Sequence, residues 1–254
     1  MSGEPILRTE GLTCDFGALR AVDRVSLRVA PGAVHAVIGP NAAGKSTLFN
    51  LIAGEIPPSG GRVVFQGREI TGLAPHQAPH LGIGRCFQRN NLFPKLTVWE
   101  NVWLAAFARS QPRPLDFLRR VRDFRGIGEG ARQVVADVGL EEKLRARAET
   151  LSHGQQRMLE VAIGLGGAPS LLLMDEPTQG LAPEATRQMM ELIQRLAGRY
   201  TILLIEHKMH IVMAISQRVT VMNFGQVIAE GDPDAIRGDP AVRKAYLGFR
   251  GSRA

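Results

Sequence analysis

The sequence predicts an α/β fold with a parallel sheet, a small antiparallel β subdomain and an inserted α-helical subdomain. Two apolar runs, SLLLMD at 170–175 and TILLIE at 201–206, flank a helical pattern over Glu184–Leu196. Strand–helix–strand units of this kind build parallel sheets. Short β-like runs broken by Gly and Pro come first and predict the small sheet. Residues 95–165 follow a mainly helical pattern and predict the insertion.

The first part of the chain alternates predicted strands with one helix. Three β-like runs, ILRTEGLTCDF, VDRVSLRVA and AVHAVIG, occupy 6–16, 22–30 and 33–39. A helix is predicted from Lys45 to Ala53, and the turn residues PPSGG at 57–61 end it. GRVVFQGREI at 61–70 then predicts a return to strand.

The helical insertion is predicted to be interrupted twice, around Pro112–Pro114 and around Gly126–Gly130, because proline and clustered glycine disfavour helix. The two apolar strands and their intervening helix follow it. RVTVMNF at 218–224 predicts one further strand.

Composition limits the classes of protein to consider. The chain has 254 residues, 44% of them hydrophobic, which is ample for a core. Cys14 and Cys86 lack the spacing of a disulfide framework or zinc site, so a reducing, cytoplasmic setting is expected. The first residues do not resemble a secretory signal, and no apolar run approaches the roughly 18 residues that span a bilayer. Any membrane role would therefore need separate spanning subunits.

The net charge of +7 and the isoelectric point near 10.1 permit nucleic acid, anionic lipid or nucleotide as a partner. Charge alone does not choose among them. The densest basic stretch, Arg109–Arg125, alternates arginines with apolar residues, and a solvated amphipathic helix is the favoured interpretation.

The strongest motif is GPNAAGKST at 39–47, which matches Gly-x-x-x-x-Gly-Lys-Ser/Thr where a predicted strand passes into a helix. This P-loop predicts an ATP site in which backbone amides from Asn41 to Thr47 cradle phosphates. Lys45 would reach the β and γ phosphates, and Ser46 would bind Mg²⁺. The predicted nucleotide-binding residues of this loop are Gly39, Asn41, Ala42, Ala43, Gly44, Lys45, Ser46 and Thr47.

Two acids close the next motif, SLLLMDEP at 170–177. Charges at the tip of a buried strand are costly without a metal, partner or water, which favours function at Asp175 and Glu176. Asp175 suits a role at Mg²⁺, and Glu176 suits the base that polarises the attacking water. His207 follows the next strand and is expected at the same sheet edge. Gln88 ends the run GRCFQ, and its amide is a weaker candidate for sensing the γ-phosphate and metal.

LSHGQQRMLE at 151–160 has the features of a helix start. Ser152 stands at the cap position, followed by Gly154 and Gln155. The first amides of a helix have no intrahelical partner and carry partial positive charge, so this start predicts an anion seat.

In this order the motifs resemble the ATP-binding subunits of ABC transporters, over nearly the whole chain. The resemblance implies one cassette over 1–254, in which a helical subdomain at about 95–165 is inserted in a RecA-like P-loop NTPase lobe. It implies that the LSHGQ helix start (Ser152, Gly154 and Gln155) faces the γ-phosphate bound by the P-loop of a second ATPase subunit. Phe16 would stack on adenine, Gln88 would be the Q-loop glutamine, and His207 the switch histidine.

Three positions depart from the pattern of that family. Ala42 stands where glycine is frequent, which we expect to be tolerable only with a negative φ. His153 replaces the second glycine of the signature. Gln179–Ala182 replaces the usual Ser-Ala-Leu-Asp, so that Ala182 lacks a carboxylate expected to communicate across the dimer.

A narrower resemblance, to ATPases that energise uptake of branched-chain amino acids or of urea, lies in LSHGQQ, the Arg-rich stretch and DPAVRKAYLG at 239–248. It implies two transmembrane permease subunits, a solute-binding protein outside the cell and a peripheral position on the cytoplasmic face of the inner membrane. Leu92, Phe93 and Trp99 would line the groove for a permease helix, although ordinary core packing explains each equally well.

Two alternatives remain open. One is a soluble ABC ATPase acting on nucleic acid or ribosomes, which the positive charge permits. Such proteins usually carry a second cassette or a long coiled-coil insertion. The sequence contains neither, so no nucleic acid is expected as a partner. The other is a cassette that binds ATP without hydrolysing it, which Glu176 and His207 disfavour.

Overall fold

The computed structural model describes residues 3–86, 92–110 and 123–247, and of Leu247 it describes the backbone only. The chain divides into two compact units. The first unit comprises Met1–Ala78, Leu173–Glu176 and Ile193–Ala254, and the second comprises Pro79–Leu172 and Pro177–Leu192.

The described residues form eleven strands and nine α-helices. The strands are β1 (Leu7–Phe16), β2 (Leu19–Val25), β3 (Arg28–Val29), β4 (Val34–Ile38), β5 (Gly60–Phe65), β6 (Arg68–Glu69), β7 (Ile83–Cys86), β8 (Leu171–Asp175), β9 (Thr201–Ile205), β10 (Arg218–Asn223) and β11 (Gln226–Gly231). The helices are α1 (Lys45–Ile52), α2 (Ala78–Leu81), α3 (Val98–Arg109), α4 (Arg125–Asp137), α5 (His153–Gly166), α6 (Pro183–Leu196), α7 (Met209–Ile215), α8 (Pro233–Gly238) and α9 (Pro240–Leu247).

The smaller sheet is antiparallel, with strand order β2-β1-β5-β6 and β3 paired with β1. Leu7, Thr9, Leu12 and Cys14 of β1 are buried, with a register shift between Leu12 and Cys14. The predicted strand over 61–70 is instead the hairpin β5–β6, because Gln66 and Gly67 both have positive φ (49° and 76°) and turn the chain.

The larger sheet has strand order β11-β10-β4-β9-β8-β7. Every residue of β4, β8 and β9 is buried, as expected for parallel strands covered on both faces. Val34 of β4 pairs in parallel with Ile202 of β9, and His35 pairs with Arg218 of β10. The predicted α/β fold is confirmed. The carboxyl ends of these strands meet at one sheet edge, where ligands bind in α/β proteins.

Helices α3, α4 and α5 pack together in the second unit. The interruption predicted around Gly126–Gly130 is wrong, because α4 runs from Arg125 to Asp137. Gly128 is buried, and its carbonyl accepts a hydrogen bond from Trp99 Nε1 at 3.3 Å. Packing therefore overrides the low helix propensity of glycine, a penalty of about 1 kcal/mol per residue.

Helix α3 is well capped at its start. Thr97 caps α3 by accepting from the Glu100 amide, while the Glu100 carboxylate accepts from the Thr97 amide at 2.7 Å. The other interruption, around 112–114, lies outside the described residues. In the part of the chain that the structure describes, no helix combines the length and apolar character required to cross a membrane.

Candidate nucleotide-binding site

The P-loop connects β4 to α1 in the first unit. It follows directly on the buried strand β4, and α1 begins at Lys45 with Gly44 as its N-cap. Asn41, Ala42 and Ser46 are exposed, whereas Ala43 is buried. The loop therefore offers the first amides of a helix to solvent at the carboxyl edge of the parallel sheet, which is a favourable place for phosphate.

Two glycines of the loop are required by close backbone contacts. A Cβ atom on Gly39 would lie 2.1 Å from the carbonyl oxygen of Met222, and one on Gly44 would lie 2.3 Å from that of Ala21. Both glycines also have positive φ, 152° and 95°. The first and last glycines of the motif are thus fixed by packing against β10 and β2, independently of any ligand.

Ala42 contradicts the expectation of a negative φ, because its φ is +63°. The left-handed conformation costs an L-residue about 1 to 2 kcal/mol relative to the usual one. Ala42 therefore adopts the conformation that glycine would take, and the loop retains its shape at some cost in free energy.

Lys45 is folded back on its own loop. Its ammonium donates hydrogen bonds to the carbonyl oxygens of Gly39 and Pro40, both at 2.8 Å, and the residue is only 7% exposed. Burial lowers the pKa of Lys45, and the negative charges of Glu176 and Asp175 act in the opposite direction. The two acids thus influence the P-loop lysine electrostatically.

Asp175, Glu176 and His207 lie at the ends of neighbouring strands. Asp175 is the last residue of β8 and is buried, and the Glu176 amide donates to the carbonyl oxygen of Ile205 at 3.0 Å. His207 Nδ1 is 3.7 Å from Glu176 Oε1. The structure therefore brings together the predicted base and the predicted switch histidine.

Glu206 is a residue of this cluster that the sequence reasoning missed. Its carboxylate is fully buried, accepts a hydrogen bond from the His207 amide at 3.2 Å and lies 4.0 Å from His207 Nδ1. The signal that singled out Asp175, an acid after an apolar strand, was also present in TILLIE.

The donor chemistry suits a hard cation. Ser46 offers an exposed hydroxyl at the start of α1, and Asp175 offers a carboxylate. Mg²⁺ prefers oxygen ligands and is usually held by one or two protein groups together with substrate phosphates. Ser46 and Asp175 are therefore the candidate ligands for Mg²⁺, and among the described residues no cluster of three or more His, Cys, Asp or Glu side chains suits a metal ion.

Phe16 is the last residue of β1 and is half-exposed, at 49%. It pairs with Leu19 across the hairpin turn, and Leu19 is 66% exposed. The hairpin thus presents an aromatic ring to solvent, as stacking on a base requires.

Ser152, Gly154 and Gln155 belong to the second unit. Ser152 Oγ accepts from the Gln155 amide at 3.3 Å, and Gln155 Oε1 accepts from the Ser152 amide at 3.1 Å, so Ser152 is the N-cap of α5, confirming the predicted helix start. A Cβ on Gly154 would lie 2.9 Å from the Ala185 side chain of α6. The start of α5 is therefore packed against α6 with no room for a larger residue.

His153, which departs from the signature, lies close to the other divergent segment. Its Cε1 would be 3.5 Å from a Cβ on Gly180, whose φ is +73°. Further along α5, Arg157 forms a buried ion pair with Glu160 at 2.6 Å and donates to the Pro177 carbonyl at 3.3 Å. The sequence analysis did not single out this pair, which connects α5 to the segment leading to α6.

Gln88 lies outside the described residues, as do positions 111–122 of the Arg-rich stretch. Two further residues near the P-loop were missed. Phe224 is 79% exposed in the turn after β10. Tyr246 of α9 packs against the core around β4 and β10, and burial raises its pKa to about 12, partly opposed by the Gly39 backbone amide.

A strand–loop–helix phosphate cradle, a buried lysine and two acids at a parallel sheet edge define a P-loop nucleotide-binding protein. The sequence profile of the ABC transporter family matches residues 22–179, and that of the branched-chain amino acid ATP-binding cassette transporter matches residues 226–248. The chain belongs to the ABC transporter family, as one of its ATP-binding cassettes.

Two curated relatives align with the chain over almost their full length. The chain is 41% identical to the high-affinity branched-chain amino acid transport ATP-binding protein BraF of Pseudomonas aeruginosa, over 96% of this chain and 98% of that protein. It is 38% identical to LivG of Escherichia coli, which carries the same description, over equal shares of the two chains. A crystal structure of an ATP-binding cassette of an ABC transporter in its ADP conformation has 34% identity and a TM-score of 0.86, covering 97% of this chain and 100% of that one.

Proposed function

We propose that this chain is the ATP-hydrolysing subunit of an importer of branched-chain amino acids. The observation that carries the solute class is the match of residues 226–248 to the branched-chain amino acid cassette profile, together with the descriptions of the BraF and LivG relatives. An importer of urea or of another small solute is the alternative within the same family.

In the proposed site the P-loop binds the phosphates of ATP. The amides from Asn41 to Thr47 would donate to phosphate oxygens, and the Lys45 ammonium would exchange its bonds to the Gly39 and Pro40 carbonyls for the β and γ phosphates. Ser46 and Asp175 would hold Mg²⁺, which when bound neutralises developing charge on the phosphates.

Glu176 is the proposed general base for the attacking water. Its carboxylate is near His207 Nδ1, at 3.7 Å, and that contact supports a role for His207 in orienting the water and the γ-phosphate. Phe16 would stack on adenine, and the side-chain amide of Gln88 would sense the γ-phosphate and the metal. The buried Glu206 beside His207 is proposed to hold the imidazole in position.

The proposed assembly contains a second ATPase subunit, two transmembrane permease subunits and, indirectly, an extracytoplasmic solute-binding protein. Ser152, Gly154 and Gln155 would meet the ATP bound by the second subunit, because the start of α5 provides an anion seat. The chain would be a single cassette over 1–254, with its helical subdomain at about 95–165, at the cytoplasmic face of the inner membrane.

The solute assignment is tested by deleting the gene and following labelled leucine, isoleucine, valine and urea into cells. We expect loss of branched-chain amino acid uptake, restored by the intact gene and not by a Glu176→Gln version. Loss of urea uptake alone would select the alternative solute. Normal uptake of all four, with loss of a sugar or metal, would contradict the assignment and leave the ATPase assignment intact.

A further inference from the structure

The turn between β10 and β11 contains an unusual residue. Asn223 pairs with Gln226, so Phe224 and Gly225 form a two-residue hairpin loop, and both have positive φ (45° and 77°). Such loops favour Asn-Gly, because asparagine and glycine tolerate the left-handed conformation. An aromatic residue there is strained, and this one is also 79% exposed. Strained residues of this kind concentrate at functional sites.

Hydrogen bonds hold this turn against the P-loop. The Gly225 amide donates to the carbonyl oxygen of Ala43 at 3.1 Å. The Gly225 carbonyl accepts from the Asp23 amide at 2.9 Å, and Gln226 Nε2 donates to Asp23 Oδ2 at 2.6 Å. The hydrogen bond from the Gln226 side-chain amide lowers the pKa of Asp23, which favours the ionised form of this anchor. The backbone of the turn that carries Phe224 is therefore anchored, just after Phe224, to both the P-loop and β2.

The same turn packs beside the last glycine of the loop. A Cβ on Gly44 would be 3.4 Å from Gly225 Cα and 2.3 Å from the Ala21 carbonyl oxygen. The P-loop, β2 and the turn after β10 thus meet at Gly44, within the first unit. Phe224 is adjacent in sequence to the residue that makes both contacts.

We propose that Phe224 contacts the adenosine part of the nucleotide whose phosphates bind to the loop at 39–47. This inference rests on the proposed ATP site. A nucleotide held there by its phosphates must place its ribose and base outside the loop, beside the elements that border it. Among the described residues of the first unit, the exposed large hydrophobic side chains are those of Phe16, Leu19 and Phe224.

Two aromatic residues would then serve one purine nucleoside. Phe16 ends β1, and Phe224 is hydrogen-bonded through its neighbour to the P-loop, so the two rings are supplied by different hairpins. Contact of a base or ribose with an exposed ring removes apolar surface from water and favours binding without any hydrogen bond to the base. This explains why the turn retains a residue that its backbone conformation disfavours.

The test is equilibrium binding to the purified full-length chain, using a non-hydrolysable ATP analogue and inorganic triphosphate as probes. Phe224→Asn installs the sequence that the turn prefers, so the nucleotide-free variant is expected to fold and to melt at a higher temperature than the parent chain. Its affinity for the ATP analogue should fall by about tenfold, while its affinity for triphosphate stays unchanged.

Phe224→Tyr is the conservative variant and should restore the affinity for the ATP analogue. An unchanged affinity of Phe224→Asn for the ATP analogue would overturn the inference. This holds even if the variant assembles poorly with membrane subunits, because that defect would place Phe224 at a subunit interface and not at the nucleotide. Equal losses for the analogue and for triphosphate would also overturn it, because they would indicate a distorted loop. Lys45→Ala tests the proposed site separately: if it binds both probes normally, the P-loop assignment itself is wrong.

Discussion

Glu176 shows how single residues at this site are set by the backbone. Its φ is +48°, a left-handed value that is uncommon for a residue with a side chain, and its amide is hydrogen-bonded to the Ile205 carbonyl. The carboxylate is thereby directed to the end of β9, where it meets His207. The strain at Glu176 is consistent with a conformation selected for position rather than for stability.

Replacement of Glu176 by Gln should keep ATP binding and lower the rate of hydrolysis by about 100-fold or more, because the water loses its base while the phosphate cradle remains. Phosphate release by the assembled complex measures the rate, and binding of labelled ATP to the isolated chain provides the control. Near-normal turnover would remove Glu176 from the assigned role.

Ala42 and Ala43 form a matched pair for testing backbone strain. Ala42→Gly should leave the free energy of unfolding unchanged or raise it by up to about 1 kcal/mol, because glycine relieves the left-handed strain at φ +63°. Ala43 is buried and does not have a positive φ, so Ala43→Gly should lower the free energy of unfolding by about 1 kcal/mol. Chemical denaturation of the two variants compares them, and equal losses would argue against strain at Ala42.

At the scale of elements, the start of α5 packs closely against the start of α6. Gly154 has no space for a Cβ because of Ala185, and a Cβ on Gly180 would lie 3.5 Å from His153 Cε1. The segment Gln179–Ala182, which lacks the acid usual in the family, therefore lies close to the start of α5, the proposed anion seat. The two segments are close neighbours, and position 182 carries no carboxylate.

Gly154→Ala should force α5 and α6 apart and lower the free energy of unfolding by about 1 to 3 kcal/mol, since overpacking displaces neighbouring backbone. Gly130→Ala is the control, because Gly130 lies within α4 with open space around it and should gain up to about 1 kcal/mol from better helix propensity. Thermal melts of both variants decide. A neutral Gly154→Ala would show that the two helix starts can move independently.

At the scale of the whole molecule, stability depends on a buried histidine in the central sheet. His35 of β4 is 1% exposed, and its Nε2 is 2.8 Å from Thr220 Oγ1 of β10. Burial lowers the pKa of His35 to about 4, with a smaller contribution from the charge of Arg218. The folded chain therefore holds His35 neutral in the range where the unfolded chain protonates it.

Because the unfolded chain binds more protons, this group stabilises the fold above the unfolded pKa of about 6.5, and the contribution is lost as pH falls towards 4. The loss over that interval should be about 3 kcal/mol in the free energy of unfolding. His35→Gln should flatten the pH dependence by this amount, whereas His76→Gln, at an exposed position, should leave it unchanged. Urea denaturation at pH 4, 5, 6 and 7 gives the free energy of unfolding at each pH. If that free energy changes with pH equally in the parent chain and in both variants, His35 is excluded as the source.

The sequence by itself determined those features that a few consecutive residues specify. The phosphate loop could be read from GPNAAGKST, the acids from the end of SLLLMDEP, and the cap of α5 from Ser152 and Gln155, because each depends on local backbone geometry or strand periodicity. The parallel sheet followed from the alternation of apolar strands and helices, since such units have few packing solutions.

Only the tertiary structure decided features that depend on residues distant in the chain. Helix α4 continues through its glycines because Gly128 packs against Trp99 of another helix. Ala42 has a positive φ, contrary to the expectation from the sequence, in a loop whose first and last glycines lie close to β10 and β2. The turn that carries Phe224 is placed beside the P-loop by the hydrogen bond from the Gly225 amide to Ala43, about 180 residues earlier. Contacts at such separations arise from closure of the whole fold, and no local propensity records them.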